Sequence, residues 1–220
     1  MLIRLRTAAL VAICGLLLGC SPVWAQAPAP IPSSQTVLPI FQPVFKQLQA
    51  HTQIPIVLPT SIPTDALILS RSRLQPYIDV PVTGKGQFQQ VSVFVLSSTK
   101  DAYELSLDAT PNCQGSDRCS FGLLSGQQVY QDTPAISSEY DFEKQPDFQP
   151  LARSPESMGE VALTGGITGY FVPFVCGASC DTSKVIWEQS GYRYRVGIRM
   201  ASKAAMIHFA NSIIQNERQP

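Results

Sequence analysis

Residues 184–198, KVIWEQSGYRYRVGI, predict a β-hairpin. Their β-branched and aromatic residues favour one strand over Lys184–Gln189 and a second over Tyr192–Arg199, with Ser190-Gly191 as the turn. Trp187 faces Tyr192 or Tyr194 across the hairpin, where aromatic pairs stabilise antiparallel sheets. The stretch therefore predicts two adjacent strands of an antiparallel sheet.

Three arginines alternate with the tyrosines of the second strand. Side chains alternate between the two faces of a strand, so Arg193, Arg195 and Arg199 share one face. An exposed arginine row on a sheet would suit an anionic partner or a lipid head group. The commoner alternative is a solvated face, and both interpretations stay open.

Helices are predicted on both sides of the strands. After the hairpin, Ser202 caps a helix that runs to about Ile214, with its apolar face formed by Ala205, Met206, Phe209 and Ile213. Near the N-terminus, Leu38–His51 shows helical periodicity, and Pro43 places the start of the regular helix close to that residue. The proline-bounded stretch Ile54–Pro59 that follows is predicted to be extended, at a sheet edge or in a loop packed on the body.

Further strands are predicted between the N-terminal helix and the hairpin. They are Ala66–Ser70, Tyr77–Val82, Gln89–Ser97, Ala102–Ala109, Ser120–Leu124, Val161–Leu163 and Ile167–Val175. Gln89–Ser97 is apolar on both faces and predicts burial on both, whereas Ala102–Ala109 alternates and predicts a half-buried strand. Consecutive hairpins flanked by helices predict the α+β class: a single antiparallel β-sheet with N- and C-terminal helices packed on one side.

The first residues predict export. Two arginines precede the apolar run Ala8–Leu18, so residues 1–25 are interpreted as a signal peptide. Val23-Trp24-Ala25 fits cleavage by an ordinary signal peptidase, whereas residues 17–20, LLGC, resemble a lipobox that would leave Cys20 lipidated. We expect an exported protein, periplasmic or extracellular, with a membrane-tethered lipoprotein as the alternative. Residues 26–37 are predicted to be a flexible tether, and residues 38–215 a single globular domain.

The cysteines are interpreted through this compartment. Of the six cysteines, Cys14 and Cys20 belong to the export segment. The other cysteines are Cys113, Cys119, Cys176 and Cys180. Export favours disulfides, and the local pairing is the simplest of three arrangements. Zinc ligation and a redox-active Cys176–Cys180 pair are the alternatives, although neither spacing is the usual one.

Four stretches of the chain resemble bacterial extracytoplasmic domains of the DUF4367 type. They are residues 184–198, residues 202–212 (SKAAMIHFANS), residues 56–63 (IVLPTSIP) and the cysteine-bearing residues 165–180 (GGITGYFVPFVCGASC). The last of these is similar to a secreted cyanobacterial version. The resemblance implies an envelope location and an α+β fold, and it implies no enzymatic activity because none is established for these families.

No catalytic or cofactor motif is recognised in the sequence. His51 and His208 lack a neighbouring ligand at metal-binding spacing, and structural roles are expected for both. The acidic stretch around Glu139, Asp141, Glu143 and Asp147 is expected to be a solvated loop, with a calcium site or a partner-binding loop as alternatives. Gly165-Gly166 is expected to be a turn.

A non-enzymatic binding or accessory domain is the function expected from these observations. Lysine plus arginine and aspartate plus glutamate number 16 each, and without a basic cluster no nucleic-acid partner is expected. We expect no cofactor and no metal, an unknown envelope protein or a small ligand as partner, and membrane contact only through Cys20. The alternatives are a carrier or sensor of a lipid-like ligand, and a cysteine redox enzyme or hydrolase.

Overall fold

A computed structural model describes residues 37–62, 91–144, 152–177 and 179–217. Within these residues, seven strands form one antiparallel sheet and two more form a small ladder. The strands are β1 (Ser92–Ser98), β2 (Ala102–Asp108), β3 (Ser120–Gln128), β4 (Ala152–Arg153), β5 (Gly159–Ala162), β6 (Thr168–Val172), β7 (Val175–Cys176), β8 (Thr182–Gln189) and β9 (Tyr192–Arg199). The helices are α1 (Gln42–His51) and α2 (Lys203–Glu217).

The sheet consists of two meanders joined edge to edge. Its strand order is β1-β2-β3-β9-β8-β6-β5, so β1–β3 form one meander, β5, β6, β8 and β9 form the other, and the two meet where β3 pairs with β9. Both helices pack on one face through a single apolar core. The predicted α+β class, with one antiparallel sheet and terminal helices on one side, is confirmed.

The sheet face beneath the helices carries the large apolar side chains. The register places Tyr194 and Val196 of β9 opposite Trp187 and Val185 of β8, and all four are at most 2% exposed. Gly126 on β3 leaves room for its neighbour, because an added Cβ would lie 2.7 Å from Tyr103 Cε1. Aromatic rings thus fill the space where the two meanders meet.

The N-terminal helix begins where its prolines allow. A 3-10 turn at Pro39–Phe41 precedes α1, and Pro43 lies in the first turn, where a missing N–H costs no helical hydrogen bond. Of the residues that the periodicity places on one apolar face, Phe41, Val44 and Leu48 are buried, and Phe45 is half-buried.

The extended stretch after α1 is a loop packed on the body and contains no assigned strand. Ile54, Ile56 and Leu58 are at most 2% exposed. Val57 N–H donates to the Tyr103 hydroxyl at 3.2 Å, and Asn216 Nδ2 of α2 donates to the Leu58 carbonyl at 2.9 Å. These two hydrogen bonds hold the loop between the sheet and α2.

Ser202 caps α2 as predicted, since the Ala205 N–H donates to its hydroxyl at 3.2 Å. Glu156 adds a second cap that the sequence did not reveal. The backbone N–H of Lys203 donates to both carboxylate oxygens of Glu156, each at 2.8 Å. A carboxylate at this end of a helix is favourable. Within the part of the chain that the structure describes, no helix has the length and apolarity needed to cross a membrane.

Several predictions about the strands are wrong in detail. Phe94 and Leu96 of β1 are 39% and 44% exposed, so this strand is exposed on one face, and its other face is only half-buried. On β2, the residues predicted to face solvent include Ser106 and Asp108, which are both 1% exposed. The predicted strand Ile167–Val175 is divided into β6 and β7 by Pro173, which cannot donate to a ladder.

Other boundaries also differ. Strand β3 continues to Gln128, and the polar stretch after it contains a 3-10 segment at Ile136–Lys144 and strand β4. Gly165-Gly166 forms a turn with both φ angles positive, at 71° and 74°. The predicted strands Ala66–Ser70 and Tyr77–Val82, the export segment and most of the tether lie outside the described residues.

Two disulfides close short loops, Cys113–Cys119 and Cys176–Cys180. This is the local pairing, and it removes these cysteines from zinc ligation. In the chain-entropy model each loop contributes about 2 kcal/mol to stability. Disulfides indicate an oxidising compartment outside the cytoplasm.

Candidate functional site

The sheet face that points away from the helices, called here the outer face, carries the arginine row. Tyr194, Val196 and Ile198 point into the core, so the alternating Arg193, Arg195 and Arg199 lie on the outer face. The predicted common face is confirmed. The environments of the three guanidinium groups nevertheless differ from one another.

Arg193 is buried, and the expectation of an exposed arginine row is wrong at this position. Its side chain is 2% exposed and forms ion pairs with Glu139 and Glu188. The Glu188 contact includes a 2.9 Å bond from Nε, and the guanidinium also donates to the Pro134 carbonyl. Arg193 therefore fastens a distant part of the chain to the sheet.

That part is the cover segment, defined as residues 129–144. Glu139 pairs with Arg193 through one carboxylate oxygen and with Arg195 Nη2 through the other, at 3.2 Å. Tyr140, 8% exposed, packs with Val172 and Ile186 in a second apolar cluster on the outer face. The expectation of a purely solvated acidic loop is therefore wrong at Glu139 and Tyr140.

Arg199 lies between the two disulfide loops. Strand pairing sets it opposite Thr182, directly after Asp181 and Cys180, and the carboxylate of Asp117 in the other loop acts on it electrostatically. Partial burial lowers the pKa of the Arg199 guanidinium, whereas Asp117 and Asp181 raise it. Its Nε is shielded from solvent and has no hydrogen-bond partner among the residues that the structure describes.

Beside Arg199, the outer face is not covered by residues 129–144. We call this part the open half and define it by Phe94, Leu96, Leu123 and Arg199. Phe94 pairs with Ser106, Ser106 with Leu123 and Leu123 with Gly197, which gives one row across β1, β2, β3 and β9. The row ends on β9 two residues before Arg199. Leu96 packs against the Cys113–Cys119 loop, because an added Cβ at Gly115 would lie 2.3 Å from Leu96 Cδ2. The open half combines exposed apolar side chains with a guanidinium.

A buried polar cluster supports the Cys113–Cys119 loop from below. Ser106 Oγ donates to Asp108 Oδ1 at 2.5 Å, and Asp108 Oδ2 accepts the Gly115 N–H at 3.0 Å. Ser120 Oγ completes the cluster, 2.7 Å from Ser106 Oγ. These contacts explain why Ser106 and Asp108 are buried although their positions alternate with the apolar residues of β2.

The remaining candidate residues have structural surroundings. His51 Nδ1 lies 2.8 Å from the Gln47 carbonyl at the end of α1, and His208 is on the exposed side of α2. Trp187 pairs with Tyr194, as one of the two predicted alternatives, with ring centroids 5.6 Å apart. Burial raises the pKa of Tyr194 and of Tyr103. No set of three or more potential metal ligands converges within the described ranges.

Comparison with family models, curated proteins and solved structures gave no match for this chain.

Proposed function

We propose that this protein is an exported, non-enzymatic binding domain of the bacterial cell envelope and that its open half docks a protein partner. The observation that carries the proposal is the exposure of Phe94 and Leu96 on the same face as the partly buried Arg199. The opposite face is filled by the rings of Trp187 and Tyr194 beneath the helices. The outer face is therefore the sheet face that can offer apolar and charged side chains to a partner.

The chemistry of the open half favours a segment that offers carboxylates beside apolar side chains. A partly desolvated guanidinium forms stronger hydrogen bonds to a carboxylate than an exposed one does, because solvent competes less. The same combination already occurs within this chain, on the same sheet face. Glu139 binds Arg193 and Arg195, and the neighbouring Tyr140 packs on Val172 and Ile186. We infer that the partner of the open half repeats this combination.

Export is the second part of the proposal. The two disulfides, the apolar run after Arg4 and Arg6, and the resemblance to DUF4367-type extracytoplasmic domains support it. Intact mass spectrometry of the protein from its native host is expected to show a mature form that starts near Gln26 or at an acylated Cys20. Alkylation is expected to label the four paired cysteines only after reduction. An uncleaved chain, or labelling without reduction, would contradict export.

Photo-crosslinking from position 94 tests the binding surface. With p-benzoylphenylalanine at Phe94 in the native host, we expect a discrete crosslinked product, because this side chain lies in the open half. The control position is His208, which is exposed on α2 and therefore lies on the side of the sheet opposite to the open half.

The proposal also requires that the crosslink depend on charge. Arg199→Glu is expected to reduce the yield from position 94 about tenfold or more, since one lost charge-assisted contact corresponds to about 1.5–3 kcal/mol. The crosslinked peptide, identified by mass spectrometry, should contain Asp or Glu beside apolar residues. Equal yields at positions 94 and 208, or no effect of Arg199→Glu, would overturn the proposal.

A further inference from the structure

We propose that the cover segment is an intramolecular mimic of the partner, and that an acidic-aromatic peptide of the partner displaces it to gain the whole arginine row. This inference rests on the proposed function, because it extends the docking surface from the open half to the covered half. The partner chemistry is defined by what already occupies the site, a glutamate followed directly by a tyrosine.

Two side-chain anchors of the cover segment are Glu139 and Tyr140. The Pro134 carbonyl also accepts from Arg193, and the half-buried Ile136 packs on the same apolar cluster as Tyr140. Glu139 reaches both Arg193 and Arg195, and Tyr140 packs on Val172 and Ile186. Because the two anchors are adjacent in sequence, a short linear peptide reproduces both. A competing ligand must therefore offer at least an acidic side chain followed by an aromatic one.

Most other side chains between the end of β3 and these anchors are exposed. They are those of Tyr130, Gln131, Asp132, Pro134, Ala135, Ser137 and Ser138, whereas Val129, Thr133 and Ile136 are half-buried. Segments that bury few apolar side chains open at a small fraction of the global unfolding free energy. Opening of the cover segment consequently leaves the core beneath the helices intact.

Opening would join the two halves of the outer face. Arg193, Arg195 and Arg199 lie on one face of β9, and removal of Glu139 and Tyr140 would expose Arg193 and Ile186 and would free Arg195, already 31% exposed, from its carboxylate partner. The combined surface would be a row of three guanidinium groups with apolar side chains on the neighbouring strands. A partner that reaches it must compete with a tethered segment, so the cover lowers the apparent affinity by the fraction of open molecules.

The test uses a synthetic peptide that copies this chain's residues 132–144, DTPAISSEYDFEK, with a fluorescent label. Its binding is measured by anisotropy with the full chain and with the variant Glu139→Gln/Tyr140→Ala, which has lost both anchors. We expect the peptide to bind the variant at least about tenfold more tightly than the wild type, because the wild type is mostly closed. A scrambled peptide and one carrying glutamine in place of its own glutamate are the matched controls, and both are expected to bind more weakly.

Two further variants keep the test decisive. Glu139→Gln alone retains Tyr140 and the Glu188 contact of Arg193, so it serves if the double variant unfolds, and intermediate binding is expected from it. Arg195→Gln, added to the Glu139→Gln/Tyr140→Ala variant, is expected to weaken binding of the peptide. Equal affinity for wild type and variants, or no binding to a variant that circular dichroism shows to be folded, would overturn the inference. Crosslinking from position 94 concerns the open half, so its result separates failure of the proposed function from failure of this inference.

Discussion

Removal of the two carboxylates that pair with Arg193 is expected to lower the free energy of unfolding by about 3–5 kcal/mol. The reason is that the buried guanidinium charge of Arg193 then has no opposite charge beside it. The change is Glu139→Gln with Glu188→Gln. The guanidinium is 2% exposed, whereas the two carboxylates are 23% and 43% exposed, so the carboxylates tolerate loss of the pair better than Arg193 does. Urea unfolding followed by far-UV circular dichroism measures the effect.

Single replacements separate the two contacts of Arg193. Glu188 is the more exposed partner, so Glu188→Gln alone is expected to cost no more than about 1–2 kcal/mol, and Glu139→Gln is expected to cost more because Glu139 also binds Arg195. Arg193→Met in the background without both carboxylates is expected to recover much of the lost stability, since a buried apolar side chain carries no unpaired charge. A double replacement that costs less than about 1 kcal/mol would contradict the importance assigned to this pair.

The sheet was predictable because its signals are local. The alternation in Tyr192–Arg199 and the Ser190-Gly191 turn lie within one hairpin, and the structure has the strand at the predicted residues. Pro43 likewise marked the beginning of α1 within one residue. In these cases the residues that determine the element are neighbours in the sequence.

The candidate site depends on contacts that no local pattern contains. Arg193 and Glu139 are 54 residues apart, so their pairing could not be inferred from the alternation of β9. The exposure of Phe94 and Leu96 was missed for a related reason: apolar residues on both faces of a strand indicate burial only if something covers both faces. Asp108 is buried because the Cys113–Cys119 loop folds back over it and donates the Gly115 N–H.

One missed contact had a usable signal. Tyr140 directly follows Glu139, and Ile136 lies three residues before it, so apolar side chains occur on both sides of this carboxylate. An arginine row alone would have suggested exposed cations, and an acidic stretch alone a solvated loop. The two stretches carry opposite charges, and on the outer face Glu139 of the acidic stretch pairs with Arg193 and Arg195 of the row.

Trp187→Ala is expected to lower the free energy of unfolding by about 3–5 kcal/mol, the range for deletion of a large aromatic side chain from a core. Trp187 is 1% exposed and packs against Tyr194 with a centroid distance of 5.6 Å and an angle of 36° between the ring planes. Its other neighbour across the sheet is Gly169, where Leu163 occupies the place of a side chain, 2.7 Å from an added Cβ. Gly169 itself has no side chain to fill the cavity, so little relaxation is available.

Trp187→Phe is the matched control, because it keeps a ring against Tyr194 and deletes the indole N–H. That nitrogen is buried and has no hydrogen-bond partner among the described residues, so its removal relieves an unpaired donor and partly offsets the lost apolar contact. We expect Trp187→Phe to cost no more than about 1.5 kcal/mol, as for other near-conservative core exchanges. Urea unfolding monitored by far-UV circular dichroism, with both disulfides oxidised, compares the two variants. If the phenylalanine variant is as unstable as the alanine variant, the indole N–H contributes a bond that stabilises the fold, and the assignment of Trp187 as a purely apolar member of the core is wrong.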